Sequence, residues 1–208
     1  GDVYKRQVPH AYTDHYYKRF LQFMDEPAIT SKDIVMLGNS LTEGGGDWSA
    51  RLGKKNVRNR GIIGDEVMGI YDRLHQILPG HPAKLFLLIG VNDISHNLTS
   101  DSIVSMIRMT IERIRKESPD TKLYLQSLLP FNESFGRYKS LTGKTDMVPE
   151  VNARLEALAK EKDIAYINLF PLFTEKGTNV LRSELTGDGL HLNEDGYRIW
   201  VKAIKKKI

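Results

Sequence analysis

The chain has 208 residues, 40% hydrophobic and 27% charged, which is enough apolar material for one sizeable core and unlike a disordered or membrane-embedded chain. The net charge is +4, with Lys202, Lys205, Lys206 and Lys207 crowded at one helix-like end, and no basic stripe interleaved with aromatics points to nucleic acid. The absence of cysteine excludes a disulfide framework, a thiol nucleophile and cysteine zinc sites, and no apolar run approaches the roughly 20 residues that span a bilayer.

The first residue is Gly1, not Met. The expectation is an exported bacterial protein, periplasmic or secreted, whose signal peptide has been removed; the alternative is a cytoplasmic one. Residues 1–7 lack periodicity and are expected to be an extension outside the fold, leaving 8–208 as a single domain. Tyr12 to Glu26 predicts a helix whose Tyr16, Phe20 and Phe23 form a packing face, ended by Pro27. Asp33 to Leu37 predicts a buried strand that runs into Gly38-Asn39-Ser40. Glycine permits a sharp turn there, and the turn presents Ser40 at the strand's carboxyl end, where open α/β sheets place their ligands.

Gly44-Gly45-Gly46 predicts a flexible loop, and Asp47 a cap for a short helix through Leu52. No Gly-Lys-Ser/Thr follows and no acidic ribose ligand can be placed, so nucleotide binding is set aside. Asn56 to Asn59 predicts a second strand, followed by the turn Gly61-Ile62-Ile63-Gly64-Asp65. Val67, Ile70, Leu74 and Ile77 then share one face of a predicted helix from Glu66 to Leu78. Lys84 to Ile89 is nearly all apolar, as a central parallel strand buried on both faces should be, and ends in Gly90-Val91-Asn92-Asp93.

Asp101 to Glu117 is an amphipathic helix and Lys122 to Leu128 a strand. Phe131 to Asp146 has no strong periodicity and is long for a loop, so it is expected to be functional or mobile. A helix over 148–162, a strand over 164–169, the glycine-rich loop Thr186 to His191 and a final helix capped by Asn193 complete the chain. The alternation predicts an α/β fold: one doubly wound, mostly parallel five-stranded sheet in a three-layer αβα domain.

A serine hydroxyl is a poor nucleophile at neutral pH and needs a base, most often a histidine held by a carboxylate. Asp188 and His191 lie three apart on one glycine-containing loop, a spacing that lets the carboxylate hold one ring nitrogen while the other faces Ser40. His10, His15, His75, His81 and His96 lack such context and read as surface or helix residues. Acyl transfer also needs oxyanion donors, which the Ser40 and Gly64 backbone N–H groups and the Asn92 side-chain amide can supply. Taken singly, each of these sites reads as an ordinary polar turn.

Together they resemble the SGNH hydrolases, also called GDSL-type esterases and lipases. Gly38-Asn39-Ser40-Leu41, Gly61-Ile62-Ile63-Gly64-Asp65, Gly90-Val91-Asn92-Asp93 and Asp188-Gly189-Leu190-His191 are similar to that family's four blocks, in order, over about residues 33–204. The resemblance implies a flavodoxin-like hydrolase fold with catalytic Ser40, Asp188 and His191 and an oxyanion hole of Ser40, Gly64 and Asn92. It also implies hydrolysis of carboxylic esters through an acyl-serine, with no metal and no cofactor. The first block departs from the family pattern, with Asn39 where Asp is usual. Thr42 and the short Asp–His spacing separate the chain from the α/β-hydrolase elbow.

The substrate expected is an acetyl ester on a carbohydrate, because Asn132, Arg137, Tyr138 and Lys139 suit a polar acceptor and no large apolar lid is evident. Lysophospholipids, platelet-activating-factor-like lipids and thioesters are the alternatives the family allows, and a glycan-binding domain without catalysis is a further one. The partners expected are a small-molecule or glycan ester, with no nucleic acid and no stable membrane insertion; the oligomeric state is open.

Overall fold

A computed structural model describes residues 12–208. The expected extension over residues 1–7 lies outside the described residues, as does His10. Helix α1 spans Asp14–Asp25, and the Thr13 hydroxyl caps it by accepting from the Tyr16 N–H. Its aromatic stripe is a packing face, as expected: Tyr16, Tyr17, Phe20 and Phe23 are buried together with Ile62.

Among the described residues five strands form one sheet: β1 Ile34–Gly38, β2 Val57–Gly61, β3 Lys84–Leu88, β4 Lys122–Gln126 and β5 Ala165–Ile167, in the order β2-β1-β3-β4-β5. Every pairing is parallel, so "mostly parallel" sharpens to wholly parallel among the described residues. Strand β1 is buried throughout, which accounts for its unbroken apolar run.

The connection from β1 to β2 runs one way along the sheet and the later ones run the other. Right-handed crossovers therefore put helices on both faces. Helices α2 Ser40–Glu43 and α3 Trp48–Leu52 follow β1; α4 Val67–Tyr71 follows β2; α5 Val91–Ser95 and α6 Ser100–Glu117 follow β3. Helix α7, Met147–Glu161, follows β4, and α8, Glu194–Ile204, closes the chain. Trp48 of α3 meets Trp200 of α8 edge-on at 4.9 Å between ring centroids, so the last helix covers the face used by the first crossover. The strand order reverses between β1 and β3. Ser40 and Asn92 follow those two strands and flank the switch point, where such sheets bind ligands.

The helix expected over 66–78 is broken. It runs only over Val67–Tyr71 and then tightens into two 3-10 turns, Leu74–Gln76 and Leu78–Gly80. The four apolar positions are buried as the pattern required, and one polar side chain explains the tightening. Arg73 turns inward, fully buried. Its guanidinium donates to Asp65 Oδ2 (2.9 and 3.1 Å), to the Gly38 carbonyl (3.1 Å) and to the Arg60 carbonyl (2.9 Å). Those carbonyls lie at the carboxyl ends of β1 and β2, so one side chain joins two strand ends to the turn that follows.

Removing one partner of a buried ion pair strands the other charge. Arg73→Ala is expected to lower the free energy of unfolding by about 3–5 kcal/mol, measured by urea denaturation at pH 7, and Arg73→Lys to recover little because a single, shorter-reaching ammonium cannot reproduce the four hydrogen bonds that the planar guanidinium makes from three nitrogens.

Candidate active site

Gly38 pairs with Gly61 on one side and Leu88 on the other, at the sheet's carboxyl edge. A Cβ on Gly38 would stand 2.6 Å from the Leu88 carbonyl oxygen, so this position admits only glycine. Gly44-Gly45-Gly46 lie in the turn between α2 and α3, and the chain is helical between the elbow and that turn. It enters the short helix α2 at Ser40 itself, with Asn39 as its cap: Asn39 Oδ1 accepts from the Leu41 N–H at 3.0 Å. The Asn39 Nδ2 is buried and finds no hydrogen-bond partner among the described residues. Asparagine thus supplies the capping oxygen that the usual aspartate would, and the elbow keeps its shape.

The loop before α8 brings its pair to the serine. His191 Nε2 lies 2.9 Å from Ser40 Oγ, and His191 Nδ1 lies 2.6 Å from Asp188 Oδ2. With Nδ1–H on the carboxylate, Nε2 carries the lone pair that faces the hydroxyl. The other carboxylate oxygen, Asp188 Oδ1, accepts from the backbone N–H groups of Leu190 (2.8 Å) and His191 (2.7 Å). The Tyr138 hydroxyl donates to Asp188 Oδ2 at 3.0 Å. Burial disfavours the charged form of Asp188. The His191 side chain, these backbone donors and Tyr138 outweigh it and hold the carboxyl well below the usual carboxylate range.

Gly64 sits on the same cleft with φ +85°, a left-handed conformation suited to glycine. The turn is held from both sides. Ile63 N–H donates to Glu43 Oε1 at 3.0 Å, which also bonds His15 Nε2 at 2.9 Å, and Asn92 Nδ2 donates to the Asp65 carbonyl at 2.9 Å. Ser40, Gly64, Asn92 and His191 therefore line one cleft of about 240 Å³, with Asp188 directly behind His191. Behind Asn92, Asp93 is buried and accepts from Val67 N–H at 3.3 Å. Burial, together with the nearby Glu66 charge, pushes its carboxyl up to about 7.

All five expected site residues are thus brought together. Three supports were missed by the sequence reading: Glu43, Asn59 and Arg73. Asn59 Nδ2 reaches the Thr42 (3.1 Å) and Gly46 (2.9 Å) carbonyls and ties β2 to the chain beyond Ser40. Glu43 stands three residues after Ser40, a helical spacing visible only if 40–43 is read as helix. Among the described residues no group of three or more His, Cys, Asp or Glu side chains is arranged to hold a metal ion.

A wholly parallel sheet with helices on both faces defines an α/β architecture, and Ser40, His191 and Asp188 stand in hydrogen-bond contact at its carboxyl edge. The chain belongs to the GDSL-like Lipase/Acylhydrolase family, whose model matches residues 36–199, and it is thereby a carboxylic ester hydrolase. Among solved structures it is similar to a Streptococcus pneumoniae protein named for platelet activating factor, with 24% identity, TM-score 0.83, and 93% of this chain and 92% of that one covered. It is also similar to a GDSL-like lipase from Bacteroides thetaiotaomicron, with 25% identity, TM-score 0.80 and coverage of 92% and 96%. An acetyl xylan esterase shares 20% identity at TM-score 0.70, with 85% of this chain and 99% of that one covered. A comparison with curated protein sequences found no match. No helix among the described residues is long and apolar enough to cross a membrane.

The depressed Asp188 carboxyl carries a sign. Its contribution to stability is complete above the unfolded value of about 3.9 and is lost as pH falls from there toward the lower folded value. Asp188→Asn is expected to melt below the wild type at pH 7, with the gap closing below about pH 4 in a pH series of thermal melts.

Proposed function

We propose that Ser40 is the nucleophile of this ester hydrolase, His191 its general base and acid, and Asp188 the carboxylate that orients the imidazole. The observation that carries the reading is the unbroken line Ser40 Oγ to His191 Nε2 at 2.9 Å and His191 Nδ1 to Asp188 Oδ2 at 2.6 Å. Ser40 Oγ attacks the ester carbonyl as its proton passes to Nε2. The imidazolium that forms is stabilised by Asp188, whose depressed pKa keeps it ionised at neutral pH. The carbonyl oxygen becomes an oxyanion, received by the Ser40 and Gly64 N–H groups and the second N–H of the Asn92 amide, whose first is held by Asp65. The imidazolium returns its proton to the leaving alcohol, and water, deprotonated by His191, releases the acid and restores Ser40.

For the substrate we infer a short acyl group, acetyl in the first instance, on a carbohydrate. The cleft of about 240 Å³ is below the roughly 300–1,000 Å³ usual for drug-sized ligands, which favours a small acyl group. Its lining pairs the Ser95 and Ser140 hydroxyls with apolar Val91, Leu141 and Leu190. The polar residues that motivated a sugar acceptor divide, however. Asn132 is spent on the Leu181 carbonyl and on Ser134, and Tyr138 on Asp188. The similarity to an acetyl xylan esterase supports the carbohydrate reading. A lipid ester is the second reading, favoured by Ile63, half exposed at the cleft mouth.

Ser40→Ala and His191→Ala are each expected to lose at least about 10³-fold in kcat on p-nitrophenyl acetate, and wild-type rates in either would refute the assignment. Asn92→Ala is expected to lose about 10²-fold in kcat with KM little changed, because its amide acts on charge that develops only in the transition state. Comparing kcat/KM on acetylated xylo-oligosaccharides and on a series of acyl-chain lengths separates the two substrate readings: a rise toward long chains favours the lipid.

A further inference from the structure

The segment between β4 and α7 carries no strand or α-helix, yet it is firmly built. Glu133 Oε1 accepts from the Gly143 N–H at 2.7 Å, and its other oxygen takes the Thr145 hydroxyl. Lys144 Nζ donates to Asn97 Oδ1 (2.7 Å), to the Ser140 carbonyl (2.6 Å) and to the Ile94 carbonyl (3.2 Å), fastening the segment to the end of α5. Asn132 N–H donates to the Gly189 carbonyl at 2.7 Å, fastening its other end to the Asp188 loop. Between these anchors Leu141 is buried, and Tyr138 reaches the cleft.

Tyr138 touches the pair behind Ser40 in two separable ways. Its ring stands edge-on to His191, with centroids 5.7 Å apart and planes at 72°. Its hydroxyl lies 3.0 Å from Asp188 Oδ2 and 3.2 Å from His191 Nδ1. The single hydrogen on Nδ1 is directed at Oδ2 across the shorter 2.6 Å, so the phenol donates to the carboxylate and not to the ring. Asp188 Oδ1 is fixed by two backbone N–H groups, but nothing else in the loop fixes Oδ2. Burial and this hydrogen bond to a carboxylate both raise the phenol's pKa, so the proton stays on oxygen through the neutral range.

We propose that Tyr138 is a positioning residue for ester hydrolysis: its hydroxyl pins Oδ2 of Asp188 in the imidazole plane while its ring limits rotation of His191. The proposal rests on the assignment of Ser40, His191 and Asp188 above. When Nε2 takes the serine proton, the imidazolium needs the carboxylate oxygen in line with Nδ1–H. A phenol donating to that oxygen holds it there without accepting the proton itself. The segment that the sequence marked as functional or mobile is thereby a part of the site that orients its base.

The test compares wild type, Tyr138→Phe and Ser40→Ala on p-nitrophenyl acetate. It also follows the far-downfield proton resonance of the His191 Nδ1–H to Asp188 hydrogen bond by NMR. The expected result is a loss of roughly ten-fold in kcat for Tyr138→Phe, the size of one hydrogen bond to a charged group, with KM within about two-fold because the ring still lines the cleft. The downfield resonance should shift, since Oδ2 loses its competing donor. Unchanged kcat in Tyr138→Phe beside an inactive Ser40→Ala would overturn the proposal alone. A fall in kcat with the resonance unmoved would also overturn it, since the effect would then come from cleft packing. Wild-type activity in Ser40→Ala would overturn the serine mechanism and this inference with it.

Discussion

The buried Arg73–Asp65 pair is the contact on which the site's geometry depends. A guanidinium with no exposure is costly to desolvate, and it is tolerable here because three acceptors surround it: the Asp65 carboxylate and the carbonyls of Gly38 and Arg60. Two of those acceptors end adjacent strands. The third residue, Asp65, also receives the Asn92 amide on its backbone carbonyl. One pair thus links β1, β2 and the turn after β3, and so sets Ser40, Gly64 and Asn92 relative to one another. Helix α1 lies over this region, with Phe23 facing the guanidinium groups of Arg19 (4.6 Å), Arg60 (4.5 Å) and Arg73 (5.9 Å). The aromatic stripe near the chain's start therefore covers the polar joint beneath the site.

The Asp188–His191 loop is held differently. One oxygen of its carboxylate is held by its own loop's backbone N–H groups and the other meets His191 and Tyr138, so the pair is organised largely apart from the serine turn and then meets Ser40. This division explains why a chain can keep the chemistry while altering the elbow. Asn39 changes the charge beside the serine but supplies the same capping oxygen, and the carboxylate assigned to orient the base is elsewhere. It also explains why substrate preference is the least constrained property. Beside Tyr138, the cleft walls come from Ile63, Val91 and Leu141, none of which the serine, histidine and aspartate require.

Much of the fold was legible in the chain because burial imposes a period. Strand β3 read as central from its unbroken apolar run, α6 from its amphipathic pattern, and the starts of α3 and α8 from Asp47 and Asn193, each of which caps as expected. The readings that failed involve polar side chains with distant partners. The 66–78 stretch has a sound helical pattern, but Arg73 inside it answers to acceptors on two strands, and the helix gives way to 3-10 turns. The glycines at 44–46 form the expected loop, but its surroundings were not legible. In the structure α2 precedes them, and Asn59 bonds the Thr42 and Gly46 carbonyls.

By itself the sequence determined the alternation of strands and helices, the apolar faces, and which glycine-ended turns carry polar groups, since all of these are local consequences of periodicity and backbone freedom. Four turns in order also sufficed to indicate the family. Only the tertiary structure decided that Ser40 and His191, 151 residues apart, stand 2.9 Å from each other, that Glu43 and Asn92 brace the Gly64 turn, and that Tyr138 shares the Asp188 carboxylate. A hydrogen bond depends on distance and direction in space, and its partners leave no period in the chain by which either could be found from the other.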